Sequence, residues 1–292
     1  TALDKKGSWN TPSSVGENIN TKFSEGAATL NSKANEMYFT RCGVEKKRQL
    51  GCQIYVSKKK GIAWDLPDLV PLAADSFTSG HPSISDDELT LYFSSDMLGG
   101  YGGKDIWMVK RTKKNKPWDA AINLGPNINT DGDEMYPFLR DDGVLFFSSS
   151  GLPGMGGLDI FKVEKSGENW GTPVNLKYPL NSAGDDFAII FEGKLEKGYF
   201  SSNRKGGKGS DDIYSFYMPP LFFTLKGNIC DDSTKAMIKG AIITLVGSDG
   251  TIVSDTTDAT GLYSFDKTKF LGNTSYEIKV EKTGYFGAKG KE

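Results

Sequence analysis

The chain has 292 residues, of which 37% are apolar and 25% charged, with a formal net charge of −2. That balance fits one or two globular domains and gives no electrostatic reason to expect nucleic acid as a partner. No apolar run approaches the ~20 residues of a membrane-crossing helix, and a single histidine with three cysteines speaks against a zinc site built from His and Cys clusters.

Residues 1–22 read as the end of a unit. TALDKKGSW aligns with YVSKKKGIAW (residues 55–64), a strand terminus followed by a tryptophan. The expectation is therefore a repeat region truncated at its N-terminus. Two closures are open. Residues 1–20 could supply the last strand of the final unit, or a further unit could precede residue 1; the alignment favours the second.

From Tyr38 onward three markers keep step. Tyr38-Phe39-Thr40, Tyr92-Phe93-Ser94-Ser95, Phe146-Phe147-Ser148-Ser149 and Tyr199-Phe200-Ser201-Ser202 are spaced by 54, 54 and 53 residues. Ile54-Tyr55, Ile106-Trp107, Ile160-Phe161 and Ile213-Tyr214 follow at 52, 54 and 53, and Trp9, Trp64, Trp118 and Trp170 at 55, 54 and 52. Three markers sharing one period identify a repeat architecture. Within a unit, ELTLYFSS and KDIWMVK alternate as short strands, one strand precedes them (HPSIS, MYPFLR, DFAIIFE), and a fourth follows the tryptophan (WDAAINL, WGTPVNL). Four strands every ~50 residues is what a propeller blade requires. The expected fold is all-β: a β-propeller of four-stranded blades, with at least four repeats, over residues 1–218.

The glycine-rich turns GGYGG, GLPGMGG and KGGKG join the second and third strands of three units. Asp105, Asp159 and Asp212 each follow such a turn, where a carboxylate accepts backbone N–H groups as in an Asx turn; structural turn-capping is the expected role. The competing reading is calcium, from Asp131, Asp133 and Glu134 with Asp185 and Asp186. Calcium takes six to eight oxygens, and DGDE lacks the spacing of an EF-hand loop. The same turns expose Leu98, Tyr101, Pro153 and Met155, a partner-contact rim on one reading and inter-blade packing on the other. The first full unit replaces its turn by GVEKKRQLG between Cys42 and Cys52. A hairpin there faces the two cysteines across the ladder, so a disulfide is expected, and with it an oxidising compartment. Cys230 is expected to be a small buried apolar residue.

After Met218-Pro219-Pro220 the period and the tryptophans stop. LFFTLKGNIC, AIITLVGSDG, GTIVSDTTDATGLYSF and SYEIKVEKTGY read as strands of a second domain over residues 221–292, a small transthyretin- or Ig-like β-sandwich that lacks a final strand.

Catalytic machinery is not evident. There is no G-x-S-x-G elbow, and any Ser-His-Asp triad rests on His81 alone. His81 occupies the repeat position that Tyr136 fills in the next unit. Paired acids such as Asp86-Asp87 and Asp141-Asp142 fall in turns, and nothing selects a glycosidase pair among them. The chain is read as not an enzyme, with no catalytic residue, metal or cofactor.

The segments HPSISDDELTLYFSSDMLGGYGGKDIW, NLGPNINTDGDEMYPFLRDDGVLFFSSSGLPGMGGLDIF and PLNSAGDDFAIIFEGKLEKGYFSSNRKGGKGSDDIYSF resemble the WD-like propeller repeats of OmpA-family envelope proteins of Bacteroidetes-type bacteria. GNICDDSTKAMIKGAIITLVGSDG, TTDATGLYSF and YEIKVEKTGY resemble the carboxypeptidase regulatory-like domain. In this order they are similar to the PorE-like family of the type IX secretion and gliding apparatus. The resemblance implies a non-catalytic scaffold in the periplasm, associated with the outer membrane. Its partners would be envelope and secretion-system proteins, with peptidoglycan reached only through an OmpA-like domain that is not in this chain. The alternative is a propeller that binds carbohydrate or peptide, with or without hydrolysing it, through a central acidic funnel.

Overall fold

The computed structural model describes all residues except 1–8, 46–47, 73–76, 194, 220–222, 267–273, 287 and 292. The segment 1–8, on which the alignment with residues 55–64 rests, lies outside them. Among the described residues every regular element is a strand. The chain divides into two compact units, Thr1–Met218 and Pro219–Glu292.

The first unit holds four antiparallel sheets in succession. The first contains β1 (Ser24–Leu30), β2 (Glu36–Glu45), β3 (Arg48–Lys60), β4 (Ala63–Trp64) and β5 (Asp68–Leu69), with both β4 and β5 paired to β3. The second is β6 (Ser79–Ile84), β7 (Thr90–Ser95), β8 (Asp105–Lys110) and β9 (Ile122–Asn123) in sequence order. In the third, β10 (Glu134–Leu139), β11 (Leu145–Ser149) and β12 (Asp159–Val163) are followed by a small hairpin, β13 (Lys165–Ser166) with β14 (Asn169–Trp170). β15 (Val174–Asn175) then returns to pair with β12. The fourth is β16 (Asp186–Phe191), β17 (Lys197–Ser202) and β18 (Asp212–Tyr217). Among the described residues no segment pairs with the outer edge of β18, and closure by a strand from residues 1–20 falls in part on residues 1–8, outside the described residues. Trp9 meets Tyr199 of the fourth sheet edge-on, with ring centroids 5.4 Å apart.

The periodic aromatic doublet has a packing explanation. Successive side chains of a strand leave on opposite faces, and the middle strands are buried on both. Leu91 and Phe93 of β7 pack with Tyr38 and Ile54 of the first sheet. Tyr92, between them, packs with Leu145 and Phe147 of the third. Phe146 in turn reaches the fourth sheet, in a cluster with Ile189 and Phe200. The Ile106-Trp107 marker divides the same way, Ile106 toward the third sheet and Trp107 toward the first. The doublets of the second and third sheets therefore each serve two inter-sheet cores at once. In the first and fourth sheets one residue of each pair joins an inter-sheet core, Tyr38 and Ile54 in the one and Phe200 and Tyr214 in the other, and Ile213 is exposed.

Cys42 and Cys52 are paired across the β2–β3 ladder and joined by a disulfide, with Cα atoms 4.0 Å apart. The ladder runs on beyond the bridge to Glu45 and Arg48, where the sequence suggested a loop. In the chain-entropy model, a cross-link spanning 10 residues removes about 3 kcal/mol of denatured-state freedom. The double variant Cys42→Ser/Cys52→Ser is expected to unfold in urea with stability lowered by about 2–3 kcal/mol. An unchanged midpoint would show that the bridge constrains nothing.

The second unit contains two sheets: β19 (Leu225–Asn228) with β22 (Leu262–Phe265), and β21 (Ile252–Thr256), β20 (Ile242–Gly247), β23 (Tyr276–Glu281) and β24 (Ala288–Lys291) in that spatial order. Residues from both sheets build one core around Ile243, Leu245, Phe265 and Tyr276. Cys230 is exposed, contrary to expectation. The alternation that turns Ile229 into the core turns its neighbour outward, where it bridges to Met237.

Candidate functional site

Three of the four sheets begin with the same polar joint. Thr21, Thr130 and Ser182 lie four residues before Glu25, Glu134 and Asp186. In each pair the backbone N–H and the hydroxyl of the first residue donate to the carboxylate of the second, over 2.5 to 3.2 Å. The second sheet has Ser79 at that place. Glu134 and Asp186 are fully buried, where an ionised carboxylate is costly unless paired. The pairing differs. Arg41 Nε lies 3.0 Å from Glu25 and Arg204 Nη2 lies 2.5 Å from Asp186, whereas Glu134 has no ion-pair partner among the described residues and takes a hydrogen bond from Ser149 Oγ at 2.6 Å.

Burial accordingly pushes the Glu134 carboxyl above its ordinary value of 4.5, with the Asp105 charge adding to the effect. A raised acid binds its proton more tightly in the folded chain. Its contribution is fully present below the unfolded value and is lost as pH rises through the folded one. Glu134→Gln does not ionise, so its stability relative to the parent chain is expected to rise as pH climbs from 4.5. Urea titrations of both proteins at several pH values give that difference. A difference that is flat with pH contradicts the assignment.

The turn aspartates come next. Asp105 Oδ2 accepts from Tyr101 N at 2.6 Å and Asn123 Nδ2 at 3.0 Å. Asp159 Oδ2 accepts from Met155 N and Gly156 N, and Asp212 Oδ2 from Lys208 N and Gly209 N. Gly100, Gly154 and Gly207, each five residues earlier, face these carboxylates so closely that a Cβ would overlap them. The glycine and the aspartate of each turn thus form one device. The adjoining acids work across sheets: Asp133 Oδ1 accepts from Lys104 N and Asp185 Oδ1 from Leu158 N. Among the described residues no group of three or more His, Cys, Asp or Glu side chains is placed to hold a metal ion. Leu98, Tyr101, Pro153 and Met155 are exposed on turns of the second and third sheets.

The first strands meet at the centre of the unit: β1 packs on β6, β6 on β10, and β10 on β16. Each carries a bulge, and each bulge holds a non-glycine residue in the left-handed region: Ala27 (φ 39°), His81 (φ 53°), Tyr136 (φ 53°) and Ala188 (φ 56°). Such conformations are uncommon outside glycine and cluster at functional positions. All four residues line one central cavity of about 420 Å³. Its walls come from Ala27–Leu30, His81–Ser83, Tyr136–Phe138 and Ala188–Phe191, without a single charged side chain. The acidic funnel of the alternative reading does not line this cavity, whose walls are strand middles. Asp86 and Asp141, just past the strand ends, line an adjoining pocket with Arg140 that shares Thr29, Leu30, Ser83, Phe138 and Phe191 with it.

His81 stacks on Tyr136 with centroids 3.8 Å apart, and Tyr136 lies 5.0 Å from Phe187. His81 N donates to Thr40 Oγ1 at 2.9 Å, and its Nδ1 is buried without a hydrogen-bond partner. Burial, reinforced by the Lys104 charge, lowers the imidazole pKa to about 4, so the ring is neutral at pH 7. Sequence reasoning matched His81 with Tyr136 and missed the cavity. Ala27 and Ala188 offer no chemical signal, and a left-handed alanine leaves no mark in the sequence. The joints were legible as INT-x3-E, INT-x3-E and LNS-x3-D, but only with the spacing lined up across units.

No family model and no curated protein matches this chain. Similar solved structures include a thermostable family-43 glycoside hydrolase (14% identity, 66% of this chain and 70% of that chain, TM-score 0.41). The catalytic domain of the Coprinopsis cinerea GH62 α-L-arabinofuranosidase is similar at 11% identity over 90% and 86% of the two chains, TM-score 0.42. A puromycin-hydrolyzing peptidase of Mycobacterium tuberculosis is similar at 12% identity and TM-score 0.41, over 87% of this chain. The chain spans about a third of that peptidase's length (33%). At these scores the likenesses carry no argument about activity.

Proposed function

We propose that the chain is a non-catalytic binding module: a WD-like β-propeller of four-stranded blades followed by a transthyretin-like, carboxypeptidase regulatory-like sandwich. The observation that carries this reading is the employment of the acids. Glu25, Glu134 and Asp186 hold the sheet joints, Asp105, Asp159 and Asp212 hold the turns, and no carboxylate lines the central cavity itself, Asp86 and Asp141 belonging to the adjoining pocket. Hydrolysis of a glycoside needs two carboxyl groups flanking the scissile bond, and hydrolysis of an amide by a triad needs a serine, a base and an orienting acid; the cavity lining supplies neither set. The resemblance to PorE-like, OmpA-family proteins supports a periplasmic scaffold at the outer membrane, one that links secretion-system proteins to the wall through a domain outside this chain.

A second reading, a carbohydrate- or peptide-binding propeller with hydrolytic activity, is favoured by the central cavity itself. Incubating the intact chain with arabino-oligosaccharides and with aminoacyl amides separates the two. The scaffold reading expects no product above buffer alone. Product formation that disappears in a carboxylate variant would replace it by the second reading.

A further inference from the structure

The central cavity results from a pattern among four equivalent positions. At the left-handed bulges, His81 and Tyr136 project rings, while Ala27 and Ala188 project methyl groups. Half of the centre is therefore filled by an aromatic pair and the other half is open. We propose that this cavity binds an uncharged planar ring carrying a hydrogen-bonding group, chemically a phenol. The proposal rests on the non-catalytic binding reading and specifies its ligand.

Three features select that chemistry. Aromatic rings prefer offset-stacked or edge-to-face neighbours with centroids 4.5–7 Å apart; His81 and Tyr136, stacked on each other, both line the cavity, and Phe138 and Phe191, 6.0 Å apart, provide further ring surface. Second, the lining is uncharged, so a carboxylate or ammonium would lose hydration with nothing to replace it. Third, His81 Nδ1 is buried without a partner. An unpaired buried acceptor is tolerated better than an orphaned N–H, so the proton sits on Nε2. That nitrogen is then a neutral donor for the oxygen of a phenol.

Two sources offer this chemistry: a free phenolic small molecule, or a tyrosine side chain on a peptide. Because His81 is the one histidine of the chain, its imidazole NMR signals report the site alone. The intact chain would be titrated with p-cresol, with N-acetyl-tyrosinamide and with benzoate. The expected result is a saturable shift of the His81 signals with p-cresol and none with benzoate. Saturation by N-acetyl-tyrosinamide as well assigns the site to tyrosine side chains, and saturation by p-cresol alone assigns it to small molecules. Ala188→Tyr fills the open half with a residue that the neighbouring sheet already accommodates in the same backbone conformation, and is expected to weaken p-cresol binding at least tenfold. Should that variant fail to fold, Ala27→Tyr serves the same purpose and leaves His81 the one histidine. The absence of a saturable shift with p-cresol, an equal response to benzoate, or undiminished binding in the filled variant overturns the proposal. None of these outcomes touches the hydrolysis assay that tests the non-catalytic reading.

Discussion

Arg204→Ala is expected to lower the unfolding free energy by about 3–5 kcal/mol, the range for leaving a buried charge unpaired. Arg204 gathers the fourth joint. Its guanidinium lies 2.5 Å from Asp186, which is fully buried, and donates to the carbonyls of Pro179 and Leu180. It also stacks over Phe200 and Tyr214, 4.9 and 5.1 Å from their centroids. Removing it strands the Asp186 carboxylate and two carbonyls together. Lysine keeps the charge but lacks the planar fork that serves an acid, two carbonyls and two ring faces at once, so Arg204→Lys is expected to recover less than half of the loss. Arg204→Met combined with Asp186→Asn removes both charges and is expected to cost less than the sum of the two single variants. Chemical denaturation of the four proteins gives the coupling directly, and additive losses would mean that the two side chains do not act as a pair.

The second large effect is expected at Gly156, in the turn between β11 and β12. A Cβ there would overlap the carbonyl oxygen of Gly184, in the loop that leads into the next sheet. Both partners are backbone, so no side chain can swing aside. Gly156→Ala must separate the third and fourth sheets locally or distort a loop, at about 2–3 kcal/mol by the usual cost of overpacking. Gly26→Ala is the matched control, since a Cβ at Gly26 meets nothing within 4 Å. It is expected to change stability by less than about 0.5 kcal/mol. Equal losses at the two positions would show that the close approach between sheets is not what the glycine provides.

How much of this was legible in the sequence follows from what repeats. The Tyr-Phe and Ile-aromatic doublets each supply at least one residue to an inter-sheet core, and both residues in the second and third sheets, so they recur with the sheets and can be read as a period. Asp105, Asp159 and Asp212 were visible for the same reason, although their partnership with Gly100, Gly154 and Gly207 needs three-dimensional contact to be seen. Composition led to the wrong expectation at Cys230, where strand alternation and not residue type decides which side faces in. The left-handed bulges were invisible. Glycine would have announced such a backbone, but Ala27, His81, Tyr136 and Ala188 carry no common chemistry, and the cavity they frame depends on the differences among them.

The central claim, a scaffold that engages envelope proteins without processing a substrate, is tested most directly by crosslinking the intact chain in living cell envelopes and identifying what is bound. The account predicts recovery of outer-membrane secretion components, with the contact sites on the sheets of the first unit. Recovery of wall glycan or soluble saccharide alone, with no protein partner, would contradict it.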